Sequence, residues 1–136
     1  EEEKRFMKQA IRFIDKGMVQ NNIPGILCLV GTPNNPPNKK ISLPIFFLKQ
    51  FLIYCLGIKW NIQDNDDVIK FLTSQKEVEY IFIRPLFMMG NKKTHDLSAS
   101  DRIGGIVSFN DLGKFAVKAV QDDTLINQFP YVSKQS

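Results

Sequence analysis

The sequence has little of what metal and redox sites need. It contains one histidine, His95, and two cysteines, Cys28 and Cys55, which lie 27 positions apart in apolar surroundings. A single histidine cannot form a histidine-based zinc site, and the cysteine spacing matches neither a CxxC redox motif nor a zinc knuckle. The sequence therefore predicts two reduced, buried thiols and no metal site, and His95 is expected to be a loop residue rather than a base.

Short catalytic and phosphate-binding motifs are also absent. The sequence contains no GxSxG nucleophile elbow, no Walker loop and no HExxH zinc motif. No GxGxxG or GxxGxxG pattern can be drawn through its eight glycines. Such a turn brings backbone N–H groups close to the pyrophosphate of a dinucleotide, because glycine has no side chain in the way. A phosphate cradle of this kind is therefore missing from the chain.

The sequence also has neither a large excess of one charge nor a long uninterrupted apolar run. Eighteen Lys and Arg residues against fourteen Asp and Glu residues leave a net charge of +4, without a dense basic run. A solvated basic surface is favoured over a nucleic-acid face, so no nucleic-acid partner is expected.

The apolar stretch 43–58 is interrupted by Lys49 and Gln50, and a bilayer span needs roughly 20 apolar residues. A buried or amphipathic helix is predicted there, with attachment to a membrane surface as the minor alternative.

Helical periodicity is present near the start of the chain and in its middle. Apolar residues recur at helical spacing behind the acidic residues 1–3, whose charges suit a helix N-terminus; they are Phe6, Ala10, Phe13, Ile14 and Met18. Asp64 is predicted to begin a further helix as its N-cap, with Asp67 in a capping-box position. Capping is favoured over a cation site formed by these two residues and Asp66.

The best-patterned helix follows Ser108. The Ser108 hydroxyl is predicted to accept a hydrogen bond from the N–H near Asp111 and so to cap the helix. The residues at its i, i+3, i+4, i+7 and i+8 positions are Leu112, Phe115, Ala116, Ala119 and Val120. This spacing predicts one buried helix face.

Strands are predicted between these helices. The segment 26–30 is apolar on both faces, as in a parallel strand covered by helices, and it ends at Gly31 and Thr32 before the Pro- and Asn-rich loop 32–40. A second strand, 79–84, is stopped by Pro85. A loop that can contain a short strand is predicted over 90–105, and a short terminal strand over 128–132. Because helices and strands alternate, the sequence predicts the α/β class.

Two stretches carry a resemblance to a known family. VEYIFIRPLFM at 78–88 and IVSFNDLGKF at 106–115 resemble the C-terminal half of the atypical short-chain dehydrogenases/reductases, near the NmrA-like and the flavin or biliverdin reductase-like members. The resemblance implies a partial Rossmann-like fold, with a doubly wound, mainly parallel sheet and helices on both faces. Residues 1–136 would form the single C-terminal part of an NAD(P)-binding domain, with the N-terminal nucleotide-binding half absent.

The resemblance also implies a site at the ends of two strands, where ligands bind in open α/β sheets. In the family these positions look onto the nicotinamide and ribose of NADP or NAD and onto a small-molecule substrate. Relatives usually have Ser or Thr at the position of Gly31, which leaves Thr32 as the single hydroxyl. The implied cofactor-binding residues are Gly31, Thr32, Pro33, Arg84, Pro85, Leu86 and Phe87.

The catalytic residues of such a site are not identified. Classical short-chain dehydrogenases use a Tyr with a Lys one helical turn later, which lowers the pKa of the Tyr. No Tyr in the sequence has a Lys four positions on; the residues found there are Ile58, Arg84 and Gln135. This absence agrees with the atypical branch, where hydride transfer relies on cofactor positioning or no catalysis occurs.

Three functions remain open. The first is an NAD(P)H-dependent reductase whose nucleotide-binding half lies upstream, so that this chain alone is expected to be inactive and to bind dinucleotide weakly or not at all. The second is a non-catalytic redox sensor or regulatory binding protein on the same scaffold. The third is a peripheral membrane or partner-binding module using the segment from Phe46 to Ile58, although membrane contact is not favoured. The sequence shows no basic-then-apolar leader, and a cytoplasmic location is expected.

Overall fold

The computed structural model describes residues 6–37, 39–90 and 95–135. The acidic residues expected ahead of the first helix, Glu1 to Glu3, lie outside the described residues. The described residues form a mixed α/β fold, as predicted. In chain order its elements are α1 (Phe6–Gln20), β1 (Gly25–Leu29), α2 (Leu43–Cys55), α3 (Lys59–Ser74), β2 (Glu79–Ile83), β3 (Phe87–Met89), β4 (Leu97–Ser100), β5 (Ile106–Ser108), α4 (Phe109–Ala119), a 3-10 helix (Asp123–Leu125) and β6 (Tyr131–Lys134).

The chain divides into two compact units. The first comprises the described residues of Glu1–Gly25 and Pro33–Val78, and the second those of Ile26–Thr32 and Glu79–Ser136. The first unit contains α1, α2 and α3, whereas α4 and nearly all of the strand residues belong to the second. None of the helices in the described ranges has the length and apolar character needed to cross a bilayer.

In the first unit, α1 packs against α3. The predicted helix is confirmed, but its buried face is narrower than the sequence suggests. Ile11 and Met18, two turns apart, are the buried residues of α1. Three of the apolar residues that define the helical period are exposed: Phe6, Phe13 and Ile14, at 70%, 76% and 47%. Periodicity located the helix, but how much of its surface is covered depends on α3.

The α2–α3 segment departs from the prediction in two ways. The helix expected over 43–58 ends at Cys55, because Gly57 adopts a left-handed conformation with φ of 65° that suits a helix C-terminus. The following helix begins at Lys59 rather than at Asp64. The prediction that Asp64 is the N-cap of its own helix is therefore wrong, and its carboxylate lies within α3 with only 5% of the residue exposed.

The second unit contains short paired strands. β1 pairs with β2, β3 pairs with β5 in parallel, and β4 pairs with β6 antiparallel. The segment before β6 also runs parallel to β2, because Phe82 N–H donates to the Gln128 carbonyl and Arg84 N–H to the Pro130 carbonyl, both at 3.0 Å. The registers are Phe87↔Ile106 through Met89↔Ser108 and Leu97↔Lys134 through Ser100↔Tyr131.

The core of the second unit forms where α4 covers these strands. Ser108 caps α4 as predicted, with its hydroxyl accepting a hydrogen bond from Asp111 N–H at 3.1 Å. The predicted buried face is confirmed except at Val120, which follows the last helical residue and is 60% exposed. The buried residues of this core are Ile81, Ile83, Leu97, Val107, Leu112, Phe115, Ala119 and Val132.

One glycine of this unit is required by close backbone packing. A Cβ atom on Gly104 would overlap the carbonyl oxygen of Val132 and lie 3.2 Å from Ser133 Cα. The loop after β4 therefore passes directly against β6, at a separation that only glycine permits.

Candidate cofactor-binding site

The ends of β1 and β2 lie side by side in the second unit. Val30 N–H donates to the Ile83 carbonyl at 3.0 Å, so pairing continues one residue beyond β1. The Thr32 hydroxyl then donates to the Pro85 carbonyl at 3.0 Å, although the two residues are 53 positions apart in sequence. The structure thus brings together the two segments that the sequence singled out. Thr32 is completely buried, and the hydrogen bond from its hydroxyl links the ends of the two strands.

Arg84 also makes contacts within the fold. Its Nε and Nη2 atoms donate to the Phe129 carbonyl at 3.0 and 2.7 Å, and its guanidinium carbon lies 3.8 Å from the centre of the Tyr131 ring. The residue is 4% exposed, and this burial lowers the pKa of Arg84 while Tyr131 opposes the shift. Arg84 therefore holds the segment before β6 against the end of β2.

The residues that follow Arg84 become progressively more accessible. Pro85 is buried, Leu86 is half-buried, and Phe87 is 49% exposed at the start of β3. Gly31, on the neighbouring strand end, is half-buried. Leu86 and Phe87 are thus the accessible apolar residues of this strand end, whereas Thr32 and Pro85 are buried.

Pro33 is assigned to the first unit, where the loop after β1 is fixed by a polar network. The neighbouring Asn34 is 1% exposed, and its side-chain amide donates to the Ile62 carbonyl at 2.9 Å and to Asp66 Oδ1 at 2.8 Å. The other oxygen of Asp66 accepts a hydrogen bond from Lys49 Nζ at 3.0 Å. Asp66 therefore joins this loop, α2 and α3. Sequence reasoning missed this role because the partners are far apart along the chain.

The remaining reactive side chains do not form a catalytic cluster. Among the described residues, no group of three or more His, Cys, Asp or Glu side chains could hold a metal ion. His95 donates its backbone N–H to Asp111 Oδ2 at 3.0 Å. Cys28 is half-buried, and burial raises its pKa to about 11, so its thiol is poorly nucleophilic. Cys55 is exposed, which makes the prediction of two buried thiols wrong for this residue.

Comparison with known proteins gives similarity at the level of the fold. No protein-family model matches the sequence, and no curated protein matches it significantly. The oxidoreductase ylbE from Lactococcus lactis superposes with a TM-score of 0.65 and 13% identity, over 88% of this chain and 50% of that one. A protein from Burkholderia pseudomallei, named as a suspected exported protein, superposes with a TM-score of 0.62 and 11% identity, over 96% of this chain and 64% of that one.

These superpositions show a shared fold and no more. At such low identity, side chains that carry a function need not be retained, because one fold supports many functions. The chain spans half the length of the oxidoreductase and less than two thirds of the other protein. The chain therefore shares its fold with part of an oxidoreductase. This similarity does not by itself assign an activity to the chain.

Proposed function

We propose that this chain forms the nicotinamide-binding part of an NAD(P)H-dependent reductase of the atypical short-chain dehydrogenase type. The observation that carries the proposal is the Thr32–Pro85 hydrogen bond of 3.0 Å, beyond which Leu86 and Phe87 are accessible. Open α/β sheets bind ligands beyond the carboxyl ends of their strands. The shared fold with half of an oxidoreductase supports the same assignment.

The residues at the strand ends suit one end of a dinucleotide better than the other. The half-exposed ring of Phe87 offers an apolar face against which a flat nicotinamide ring can lie. Thr32 and Arg84 bind backbone carbonyl groups, so in this proposal they are positioning residues that set the path of the chain from Pro85 to Phe87. The bound cofactor would supply the hydride, and this chain would hold its nicotinamide.

The pyrophosphate would require a glycine-rich turn, which the 136 residues do not contain. In the proposed intact reductase, that turn belongs to an upstream nucleotide-binding half of a doubly wound, Rossmann-like sheet. Because the phosphate contacts supply much of the affinity for a dinucleotide, this chain alone should bind NADPH or NADH weakly and should show no reductase turnover.

The test is a titration of NADPH into the 136-residue chain, followed by NMR of the backbone amides. We expect a dissociation constant in the millimolar range or weaker, with the largest shifts at Gly31, Leu86 and Phe87. Phe87→Ala should weaken these shifts, whereas Phe13→Ala should not, because Phe13 is 76% exposed on α1 and lies outside the proposed site. Micromolar binding at one-to-one stoichiometry, or equal effects of the two variants, would contradict the proposal.

A non-catalytic sensor on the same scaffold is the second candidate. The observation that favours it is that the side chains of Thr32 and Arg84 at the strand ends donate their hydrogen bonds to main-chain carbonyl groups of the fold. In these contacts they hold the fold together and do not act on a substrate. Such a protein would bind the dinucleotide without oxidising it. An N-terminally extended form that binds NADPH tightly, yet oxidises none of it with flavin or quinone acceptors, would favour the sensor over the reductase.

A further inference from the structure

Helix α2 exposes four large apolar residues in a line, which we call the aromatic stripe. They lie at positions i, i+4, i+8 and i+11, a spacing that places them on one helix face. The four residues are Leu43, Phe47, Phe51 and Tyr54, and they are 72%, 66%, 56% and 81% exposed.

The opposite face of α2 is already used for packing. The buried residues of this helix are Ile45 and Leu52, and at about 100° per residue they lie roughly half a turn away from the stripe. An ordinary surface helix is polar on the side away from the core, and a contiguous exposed apolar patch marks an interaction site. The aromatic stripe is therefore a surface that needs a partner.

The length of α2 restricts the form of this contact. The helix has 13 residues and is thus about 20 Å long, whereas the hydrocarbon core of a bilayer is about 30 Å thick. A helix of this length with one apolar face towards the outside can lie in the plane of a bilayer surface, with its aromatic residues among the lipid headgroups.

The charges around α2 favour an anionic surface. All fourteen acidic residues of the chain lie outside positions 16–63, and this segment contains five lysines, of which Lys49 is paired with Asp66 of α3. Lys39 and Lys40 precede the helix, Lys59 follows it, and all three are exposed. Near the C-terminal end, Tyr54 and Trp60 are residue types enriched at membrane interfaces. The two ends of α2 therefore carry positive charge, as expected for contact with anionic headgroups.

The same charges disfavour pairing of the stripe with a second copy of the chain. A parallel pair of α2 helices would bring Lys39 and Lys40 of one copy next to those of the other. An antiparallel pair would bring them next to Lys59 instead. Like charges would meet in either arrangement, whereas an anionic bilayer is complementary to both ends.

We propose that α2 attaches this chain to the surface of anionic phospholipid bilayers, with the aromatic stripe inserted between the headgroups and the flanking lysines above the phosphates. The aromatic stripe lies wholly within the first unit.

The experiment is co-sedimentation of the full 136-residue chain with two kinds of vesicle, phosphatidylcholine alone and phosphatidylcholine mixed with phosphatidylserine. Binding should be at least about tenfold stronger to the mixed vesicles and should decrease with added salt. The emission of Trp60, the one tryptophan of the sequence, should shift to shorter wavelength on binding. Equal binding to both vesicles, or no binding to either, would overturn the proposal.

A matched pair of variants places the contact on α2. Phe47→Glu should weaken vesicle binding by about tenfold or more. Phe13→Glu, at a phenylalanine of α1 that is 76% exposed against 66% for Phe47, should leave it unchanged. Circular dichroism melts would show that both variants fold, as exposed positions permit. Equal losses in the two variants would refute the assignment to α2. A wild-type dimer that Phe47→Glu dissociates, without vesicle binding, would identify a second copy as the partner and also refute it.

Discussion

Asp64 provides a test of how the first unit is held together. Its Oδ2 and Oδ1 atoms accept hydrogen bonds from the N–H groups of Met7 and Lys8, both at 2.8 Å. These N–H groups lie in the first turn of α1, where a helix provides no partners of its own. The carboxylate also lies at the positive end of the α1 dipole. A side chain of α3 thus caps a helix that begins 58 positions earlier.

The loss expected for Asp64→Ala follows from these contacts. A hydrogen bond to a charged group contributes about 1.5–3 kcal/mol, but water can reach part of this helix end because Met7 is 48% exposed. We therefore expect Asp64→Ala to lower the free energy of unfolding by about 2–4 kcal/mol. Asp64→Asn keeps one acceptor oxygen and places an amide group against the other N–H, so it should lose about 1–2 kcal/mol.

Asp67→Ala is the matched control, because it removes the same side chain from the same helix. Asp67 pairs with Lys8 Nζ at 3.1 Å, and the two side chains remain 23% and 31% exposed. A pair of this kind contributes about 0–1 kcal/mol. Urea denaturation followed by far-ultraviolet circular dichroism would give the midpoints and slopes. Equal midpoints for Asp64→Ala and Asp67→Ala would refute the capping role of Asp64.

Two further predictions concern α4. Ser108→Ala should lower the free energy of unfolding by about 1 kcal/mol, because it removes the cap on Asp111 N–H, whereas Ser108→Asp should be tolerated; thermal melts in which Ser108→Ala matches the wild type would exclude the cap. Phe115 is 6% exposed in the core of the second unit, so Phe115→Ala should cost about 3–5 kcal/mol, against less than about 0.5 kcal/mol for the exposed Val120→Ala. Similar chemical-denaturation midpoints for Phe115→Ala and Val120→Ala would show that the buried face of α4 is assigned wrongly.

The features that could be predicted from the sequence are those set by nearby residues. α4 was located with its cap because Ser108 and Asp111 are three positions apart and the apolar residues of the helix keep a regular period. β2 was located because four β-forming residues, Tyr80 to Ile83, lie shortly before Pro85. The three-residue strands β3 and β5 were missed, because each is too short to show an alternating pattern and exists through its partner.

The features that could not be predicted depend on residues far apart in sequence. Asp64, with Asp67 three positions later, has the residue type and spacing of an N-cap for its own helix, yet it caps α1. The exposed faces of α1 and α2 look buried in the sequence, since periodicity reports an apolar face but not whether anything covers it. For the candidate site, the strand ends were found from the positions of Gly31 and Pro85. The contacts of Arg84 with Phe129 and Tyr131 were not, because those residues lie more than 40 positions away.

The proposed nicotinamide site is tested most directly by comparing NADPH with its two halves. Reduced nicotinamide mononucleotide carries the ring that Phe87 would contact, and 2′,5′-adenosine diphosphate carries the part that a glycine-rich turn would hold. We predict that, in amide-shift titrations of the 136-residue chain, the nicotinamide half binds nearly as well as NADPH, shifting Leu86 and Phe87, while the adenosine half does not bind. Binding of the adenosine half as strong as that of NADPH, with no shift at Phe87, would contradict the assignment.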